Sequence, residues 1–393
     1  MSLPANVRRA GVLAGIRVIE LGGVGPGPYC GMLLADHGAD VIRVDLPEFA
    51  GKRSRQPILH RGRRSVAIDL KDPAGAEVAR RLIDGADAVI EGFRPGVTER
   101  LGLGPDECLA RNPRLVYGRM TGWGQDGPLA DSPGHDINYL AMTGVLDQIG
   151  LPGGEPVAPL NVAADMGGGG MLLAFGMAAA LLGAARTGAG QVVEAAMTDG
   201  SVSLMALVLD QLAAGIWTDG RHPGNFIGNA PYYHVYQCAD GGYMAAGCAE
   251  SKFYAQMLRV LGLDDDPFLM TRQNDRAAWP AVTARIAAVF ATRTRDEWTA
   301  AFAGQEACVT PVLSIAEAAS HPHNAKRGTY VTDAAGRLHP APAPRFHAAP
   351  AADPVPAAAV GAHTREVLAG LGLSGSELDD LRDRGVIGLG DAA

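Results

Sequence analysis

The chain has 393 residues, of which 47% are hydrophobic and 19% charged. This composition excludes a disordered protein and predicts more than one domain around large apolar cores. The net charge of −8 argues against nucleic acid or an anionic membrane as a partner. The five cysteines have neither CxxC nor zinc-ligand spacing, and residues 1–9 have no apolar signal core. We therefore expect a cytoplasmic protein without a metal site.

The first half of the chain alternates β-like runs with helical stretches. Strands are predicted at residues 16–21, 40–44, 65–69, 88–91 and 115–119, and helices at 28–37 and 72–84. Asp72 and Pro73 provide a typical helix start. The alternation predicts an α/β fold with a mainly parallel sheet covered by helices on both faces.

The remaining segments predict a second, smaller α+β domain. Helices are predicted at 137–149, 165–186 and 200–217, a strand at 191–196, a hairpin at 232–238 and 243–247, and helices at 251–261, 278–292, 295–303, 362–371 and 374–384. The Pro- and Ala-rich stretch 339–356 is expected to be extended. We predict a large domain from residues 1–200 and 330–393, a linker helix at 201–224 and a small domain at 225–329.

Two features invite interpretations that we do not favour. Residues 166–185 carry no charge, but four glycines and the flanking Asp165 and Arg186 favour a buried core helix over a membrane span. The glycine-rich turn 21–28, followed by Asp45, is similar to a dinucleotide fingerprint. Its spacing departs from GxGxxG, and its prolines remove N–H groups that would bind phosphate, so a tight strand-to-helix turn is favoured.

A series of short motifs gives the chain a close resemblance to the α-methylacyl-CoA racemases of the class III CoA-transferase superfamily. They extend from about residue 13 to residue 350 in the family's order. They are found at residues 20–28, 38–45, 91–96, 99–105, 119–125, 134–139 (GHDINY), 165–169 (DMGGG), 190–194, 230–233, 308–311 and 344–346.

The resemblance implies an interlocked homodimer in which each subunit is a ring threaded by the other. The large domain would be Rossmann-like and built from both ends of the chain. The active site would lie where the large domain of one subunit meets the small domain of the other. The stretch 339–356 fits a return linker in such a ring.

The resemblance also implies that His135 and Asp165 form a proton-transfer pair. Racemisation removes the α-proton of a thioester and returns one to the opposite face, which two acid/base groups on either side of the planar carbon accomplish. Read without the family, His135 is a loop histidine with a local hydrogen bond and Asp165 an ordinary helix N-cap. Glu250 would hydrogen-bond His135 and fix its tautomer. The alternative is a carboxylate placed favourably at a helix N-terminus.

Further residues are implied as contacts of the acyl-CoA substrate. Three arginines would bind phosphates, although each could equally form a surface ion pair. Residues 68–71 would hold the adenosine or pantetheine through backbone contacts, and residues near Gly122 would line the enolate site. The full set is Arg43, Ile68, Asp69, Leu70, Lys71, Glu91, Arg94, Arg100, Met120, Gly122, Gly134, Asp136, Ile137, Asn138 and Tyr139.

One position departs from the family. Leu46 lies where relatives have a basic phosphate contact, so the contact to the coenzyme A 3′-phosphate is in doubt. The nearby basic residues Lys52, Arg53, Arg55, Arg61, Arg63 and Arg64 could compensate.

These observations predict a racemase/epimerase of lipid metabolism that interconverts (R)- and (S)-2-methylacyl-CoA without a cofactor, coenzyme A being part of the substrate. The alternative within the superfamily is a CoA-transferase with Asp165 as nucleophile, which needs no catalytic histidine. A non-catalytic acyl-CoA-binding scaffold is the third interpretation. The residue that separates them is His135.

Overall fold

The computed structural model describes residues 11–221 and 228–390. These residues divide into two compact units. The first comprises the described parts of Met1–Thr143, Leu160–Leu204 and Gly328–Ala393, and the second comprises Gly144–Pro159 and the described parts of Met205–Arg327. Residues 144–159, which the sequence assigned to the large domain, thus group with the second unit.

The first unit is built on a seven-stranded sheet. Its strands are β1 (Arg17–Leu21), β2 (Asp40–Asp45), β3 (Arg64–Ile68), β4 (Ala88–Glu91), β5 (Val116–Thr121), β6 (Gln191–Ala196) and β12 (Ile387–Gly388). The order is β12-β3-β2-β1-β4-β5-β6, and all pairs are parallel except β12 with β3. The parallel strands follow the doubly wound order 3-2-1-4-5-6, which confirms the predicted α/β fold with a parallel sheet.

The first unit also contains helices, some of which pack on this sheet. They are α1 (Pro26–Asp36), α2 (Pro73–Asp84), α3 (Val97–Arg100), α4 (Pro105–Arg111), α5 (Asp136–Met142), α6 (Leu172–Thr187), α7 (Met197–Leu204), α15 (Thr364–Gly370) and α16 (Gly375–Asp383). Asp72 caps α2 by accepting the Ala74 N–H, as its sequence predicts. Val367 of α15 and Leu378 of α16 share one buried cluster with Ile19. The C-terminal segment therefore helps to complete the core of the sheet.

The second unit contains a three-stranded antiparallel sheet and several helices. The strands are β7 (Tyr233–Gln237), β8 (Tyr243–Gly247) and β9 (Val309–Pro311). The helices are α8 (Ala206–Ala213), α9 (Ser251–Leu261), α10 (Pro267–Thr271), α11 (Trp279–Phe290), α12 (Arg295–Phe302), α13 (Ile315–Ser320) and α14 (Pro322–Arg327). Strands β10 (Tyr330–Thr332) and β11 (Leu338–Pro340) form a separate hairpin in the first unit. The predicted hairpin at 232–247 is confirmed to within a residue or two at its ends.

Three helix predictions need correction. The helix predicted at 137–149 ends at Met142, because Gly144 adopts a φ of 78°. The helix predicted at 200–217 is two helices, α7 and α8, divided at Met205. The segment predicted as one helix from Asp165 begins earlier, as a π-helix over Ala163–Met171 that continues into α6.

The helical stretch Leu160–Thr187 is long and apolar enough to span a membrane by length and composition, and 44% of its most apolar window is buried. Its α6 part packs on β5 and β6. Leu173 and Met177 are fully buried, and both approach the side of Gly118 in β5. This packing is that of a core helix.

Candidate active site

A cavity of about 560 Å³ opens at the carboxyl ends of the parallel strands. Its walls come from the turns after β1, β4 and β5, the start of α5 and the start of the π-helix. Ligands of doubly wound sheets bind at this edge. We call it the site cavity. Its lining includes Gly25, Arg94, Met120, Gly122, Trp123, Gly134, His135, Tyr139, Asn161 and Asp165.

Asp165 lies half-buried in the first turn of the π-helix. Burial raises the pKa of its carboxyl, and the charge of Asp136 raises it further; the Asn161 amide and His135 act in the opposite direction. Its carboxyl therefore binds a proton more readily than an ordinary aspartate does. The N-cap interpretation of Asp165 is wrong, because Val162 occupies the N-cap position.

Asp136 holds the backbone that carries Asp165. It is buried, and its Oδ2 accepts the N–H of Ala164 at 3.0 Å and the N–H of Asp165 at 2.8 Å. Two hydrogen bonds from adjacent N–H groups to a carboxylate fix the helix start against α5. Asp136 was predicted from the sequence as a substrate contact. In the structure its Oδ2 accepts hydrogen bonds from the protein backbone, and Asp136 is not part of the cavity lining.

His135 is the N-cap residue of α5 and is exposed at the site cavity. Its backbone N–H donates to Asn138 Oδ1 at 3.1 Å, and its carbonyl accepts the Asn138 N–H at 2.8 Å. These bonds fix the backbone of His135 where this residue lines the cavity. Its neighbour Asn138 thus has a local structural role, and the predicted contact of Asn138 with substrate stays a prediction.

Two glycines let other groups approach the site closely. Gly25 has a φ of 68°, and a Cβ there would lie 3.5 Å from Asp165 Oδ2. A Cβ on Gly122 would lie 2.2 to 2.4 Å from the ring and hydroxyl of Tyr139. The Tyr139 ring packs edge-on against Trp123 at 4.8 Å between centroids. The glycine-rich turn 21–28 therefore serves the cavity that contains Asp165, an explanation its sequence did not supply.

Comparisons with known proteins agree with this arrangement. The chain matches "CoA-transferase family III" over residues 13–364. The chain belongs to CoA-transferase family III. It is 43% identical over 380 residues to the alpha-methylacyl-CoA racemases of Mus musculus and Homo sapiens, covering 96% and 95% of this chain and 97% of each relative.

Family III relatives also include CoA-transferases. A succinyl-CoA–D-citramalate CoA-transferase of Chloroflexus aurantiacus is 30% identical over 394 residues, covering 95% of this chain and 97% of that protein. Among solved structures, a CaiB/BaiF family protein from Brucella suis superimposes with a TM-score of 0.80 at 28% identity, covering 92% of this chain and all of that one. The mixed α/β architecture is therefore shared with the family.

The structure places the residues that family resemblance implied in three different situations. Seven of them line the site cavity: His135 and Asp165 with Arg94, Met120, Gly122, Gly134 and Tyr139. Arg43 lines a second, neighbouring cavity, where Asp45 pairs with it. The other implied contacts from this unit line neither cavity; they are Ile68, Asp69, Leu70, Lys71, Glu91, Arg100, Asp136, Ile137 and Asn138.

Glu91 is fully buried, and its environment is that of a structural residue. Its carboxylate accepts the Phe93 N–H at 2.8 Å and the Arg119 Nε–H at 2.8 Å. Burial raises the pKa of Glu91, while these two bonds lower it. Glu91 thus has a structural role, and its predicted contact with the substrate stays a prediction.

Residues 68–71 use backbone groups within the protein. Ile68 pairs with Ile387 of β12, and the Asp69 N–H donates to the Val386 carbonyl at 2.8 Å. The Lys71 N–H donates to Asp69 Oδ1 at 2.9 Å. These donors are not free for a backbone clasp of the substrate, which weakens that prediction.

Glu250 belongs to the second unit and is the N-cap residue of α9. Its side chain makes no capping hydrogen bond and is exposed.

Sequence reasoning missed Trp123 and Asn161 in the site cavity. Asn161 had a usable signal, because it lies one helical turn before Asp165.

Proposed function

We propose that this family III protein is a racemase that interconverts (R)- and (S)-2-methylacyl-CoA thioesters. The observation that carries the proposal is that His135 and Asp165 line one cavity and that the pKa of Asp165 is raised. A group that must both accept and donate a proton works best when its pKa lies near the working pH. The 43% identity to two alpha-methylacyl-CoA racemases over nearly the full chain supports the same reaction.

In the proposed reaction, one group of the pair takes the α-proton and the thioester becomes an enolate. The other group then returns a proton to the opposite face of the planar carbon, and the roles exchange in the reverse direction. No cofactor is needed, because the thioester carbonyl accepts the electron pair of the broken C–H bond. Coenzyme A serves as the handle of the substrate and is not consumed.

The negative charge on the enolate oxygen requires a hydrogen-bond donor. The N–H groups of Ala164 and Asp165 donate to Asp136, so these two are already engaged. Tyr139 has a raised pKa, from burial and then from the charge of Asp165, and therefore keeps its proton. We propose its hydroxyl as a donor within the site cavity.

A CoA-transferase reaction is the second candidate, favoured by the named transferases among the family III relatives. In that reaction the Asp165 carboxylate would attack a thioester and carry the acyl group. Ionised carboxylates are the better nucleophiles, whereas the surroundings of Asp165 favour its protonated form. This electrostatic environment and the presence of His135 favour proton transfer.

The deciding experiment uses (R)-2-methylacyl-CoA in D2O without any acceptor acid. We expect deuterium at the α-carbon together with loss of stereochemical purity. Replacing His135 by Ala should slow exchange about 10²- to 10⁴-fold. The control is His347→Ala, which removes an exposed histidine that lines neither cavity. CoA release only after a free acid is added would establish a transferase instead.

We also propose that the protein works as an interlocked homodimer in the cytoplasm and belongs to lipid metabolism. Helix α6 supports a dimer, because Phe175 is 72% exposed and Leu182 63% exposed. In the dimer we expect Glu250 to hydrogen-bond His135 and orient it. Light scattering should give twice the chain mass. A monomeric wild-type protein with full activity would refute the dimer.

A further inference from the structure

A buried cluster of polar side chains joins the hairpin β10–β11 to the C-terminal end of α1. The fully buried Arg61 donates from Nε to Asp36 Oδ1 at 3.0 Å and from Nη2 to Asp36 Oδ2 at 2.6 Å. Asp36 is the last residue of α1. Arg61 Nη1 donates to the Pro340 carbonyl at 2.8 Å and lies 3.5 Å from Nδ1 of the buried His339. We call Asp36, Arg61, Asp333 and His339 the clasp.

Asp333 fixes the imidazole of His339. The His339 Nε2 lies 3.1 Å from Asp333 Oδ2. An ionised carboxylate only accepts hydrogen bonds, so Nε2 carries the proton and Nδ1 is left to accept from Arg61. The N–H groups of Arg337 and Ala335 also donate to Asp333 Oδ1, each at 2.9 Å. The bonds from Arg337, His339 and Ala335 hold the pKa of Asp333 well below its usual range, so the carboxylate stays charged.

Two further contacts hold the same end of α1. His37, the C-cap residue of α1, has its Nε2 3.1 Å from the Ala343 carbonyl oxygen, and its ring lies edge-on to Phe346 at 5.1 Å between centroids. Ala343 lies 306 residues after His37 in the chain. Apart from Arg61, the partners of this end belong to residues 328–346, with which the chain re-enters the first unit. We call these residues the return segment.

Towards its N-terminal end, α1 packs on the π-helix. Tyr29 lies two helical turns before Asp36, so both residues are on one side of α1. Burial raises the pKa of Tyr29, while the charge of Arg61 lowers it and that of Asp36 raises it, so the phenol lies in the field of the clasp. A Cβ on Gly170 would lie 2.8 Å from Tyr29 Cδ1, so the ring packs directly on the π-helix backbone. Tyr29 thus lies between the clasp and the π-helix.

This contact bears on the position of the Asp165 carboxyl. Gly170 follows Asp165 by five residues, which is the spacing of a π-helical hydrogen bond. A Cβ on Gly170 would lie 2.6 Å from the Pro26 carbonyl oxygen, and one on Gly25 would lie 3.5 Å from Asp165 Oδ2. Helix α1 has 11 residues and is therefore about 16 Å long. Because the interior is closely packed, a shift at one end of this rod moves the other end.

We propose that His339 is a positioning residue for Asp165 and that it acts through Arg61 and α1. The proposal rests on the proposed function for the reaction that is affected. The clasp fixes α1 at its C-terminal end, and α1 holds the π-helix at the depth where the Asp165 carboxyl is half-buried. A misplacement of about 1 Å at a reacting group can lower a rate about 10²-fold, even when the altered residue is far from the chemistry.

The test compares two replacements of His339, by Leu and by Gln. Leucine removes both nitrogens, whereas glutamine supplies an N–H for Asp333 and an oxygen that accepts from Arg61. With (R)-2-methylacyl-CoA in D2O, the leucine variant should show a kcat of α-deuterium exchange about 5- to 30-fold below wild type and a KM within about two-fold. The glutamine variant should stay within about three-fold of wild type in both. The control is His347→Leu, which removes an exposed histidine just beyond the return segment and should change neither.

The second readout is the pKa of Asp165, measured by ¹³C NMR of the carboxyl carbons of labelled aspartate. The Asp165 signal is identified by its absence in Asp165→Asn. Burial is the largest cause of the raised pKa, so a π-helix that α1 no longer holds should admit water, and the pKa should fall towards the ordinary aspartate range in His339→Leu. The glutamine variant and the control should keep the wild-type pKa. A loss of global stability alone leaves this pKa unchanged in the folded protein.

A double-mutant cycle tests the route through α1. It combines His339→Leu with Tyr29→Leu, and the combined variant should lose less kcat than the product of the two single losses. Losses that simply multiply would overturn the route. If His339→Leu does not fold, His37→Phe takes its place, because it removes the bond to the Ala343 carbonyl and keeps a ring beside Phe346. Its effects should have the same direction and be smaller, about two- to five-fold in kcat.

An unchanged pKa of Asp165 in the leucine variant overturns the proposal whatever the rate, and so does an equal loss in the glutamine variant. Failure of the proposed function would look different, because the NMR titration needs no turnover. If wild type exchanges no α-proton while the pKa of Asp165 falls in His339→Leu, the racemase assignment fails and the positioning role stands. If wild type racemises the thioester and His339→Leu keeps both kcat and the pKa, the positioning role fails and the racemase stands.

Discussion

Replacing Asp136 by Asn tests how the protein adjusts its acid/base pair. Asp136 is 8% exposed and accepts two backbone N–H groups, at 2.8 and 3.0 Å. Hydrogen bonds to a charged group contribute about 1.5–3 kcal/mol and neutral ones about 1 kcal/mol. Asparagine preserves the shape but removes the charge, so we expect a loss of about 2 kcal/mol in the free energy of unfolding.

The same substitution removes a charge that raises the pKa of Asp165. The pKa of Asp165 should therefore fall. When Asp165 is the base, the acid limb of the pH profile of kcat/KM should move to lower pH. In the opposite direction of racemisation Asp165 is the acid, and the alkaline limb should move to lower pH. We expect a rate loss of about ten-fold at neutral pH, since protonation of Asp165 becomes harder.

The assay is α-deuterium exchange from each enantiomer across the pH range, together with thermal unfolding. The matched control is Asp131→Asn, which removes one exposed charge nearby and breaks no bond to the π-helix. A profile that superimposes on wild type, or that moves to higher pH, would refute the reasoning. An equal shift in Asp131→Asn would attribute the effect to net charge and not to the contact.

Three further predictions concern stability. Because the pKa of Asp165 is raised in the folded state, ionisation of its carboxyl lowers the stability as pH rises from the ordinary aspartate range through the folded pKa. Asp165→Asn removes this cost, so it should raise Tm by about 1–3 °C at pH 7.5 and by less at pH 4.5. An equal gain in Tm at both pH values would contradict this explanation. Glu91→Gln should lower the unfolding free energy by about 1–3 kcal/mol with KM for acyl-CoA unchanged, since its partner Arg119 is buried. A raised KM at unchanged stability would instead support the predicted contact between Glu91 and the substrate. Gly122→Ala should cost about 1–3 kcal/mol through overlap with a tyrosine ring, unlike Gly375→Ala, where no atom lies within 4 Å, and equal unfolding midpoints would show that the ring moves aside.

The order of strands and helices in the first unit follows closely from local patterns. Strand runs 88–91 and 191–196 are predicted to the residue. The first is buried along its whole length, as the apolar run Ala88–Ile90 indicates. The two-residue strand β12 has no such signal, since its pairing with β3 depends on where the last helix ends. The π-helix over Ala163–Met171 could not be predicted either, because its periodicity departs from that of an α-helix only over this short segment.

The site shows the same division between local and long-range information. The motifs GHDINY and DMGGG indicated His135 and Asp165 before any coordinates, and both line one cavity. The substrate contacts predicted for their neighbours within the motifs stay predictions, and the structure shows local hydrogen bonds for two of these residues. Asp136 and Asn138 bind backbone N–H groups, which a motif match cannot distinguish from ligand binding because both roles require the same residue.

The sequence by itself determined the fold class and the chain order of the elements, and it indicated the two side chains that we propose as the proton-transfer pair, because these depend on local periodicity and on short motifs. Tertiary structure alone decided the environment of those side chains. The raised pKa of Asp165 arises from burial and from Asp136, and the glycine-rich turn matters because Gly25 lies against the Asp165 carboxylate. Which cations are paired was also decided there, since Asp45 neutralises Arg43, a pairing that the sequence did not indicate.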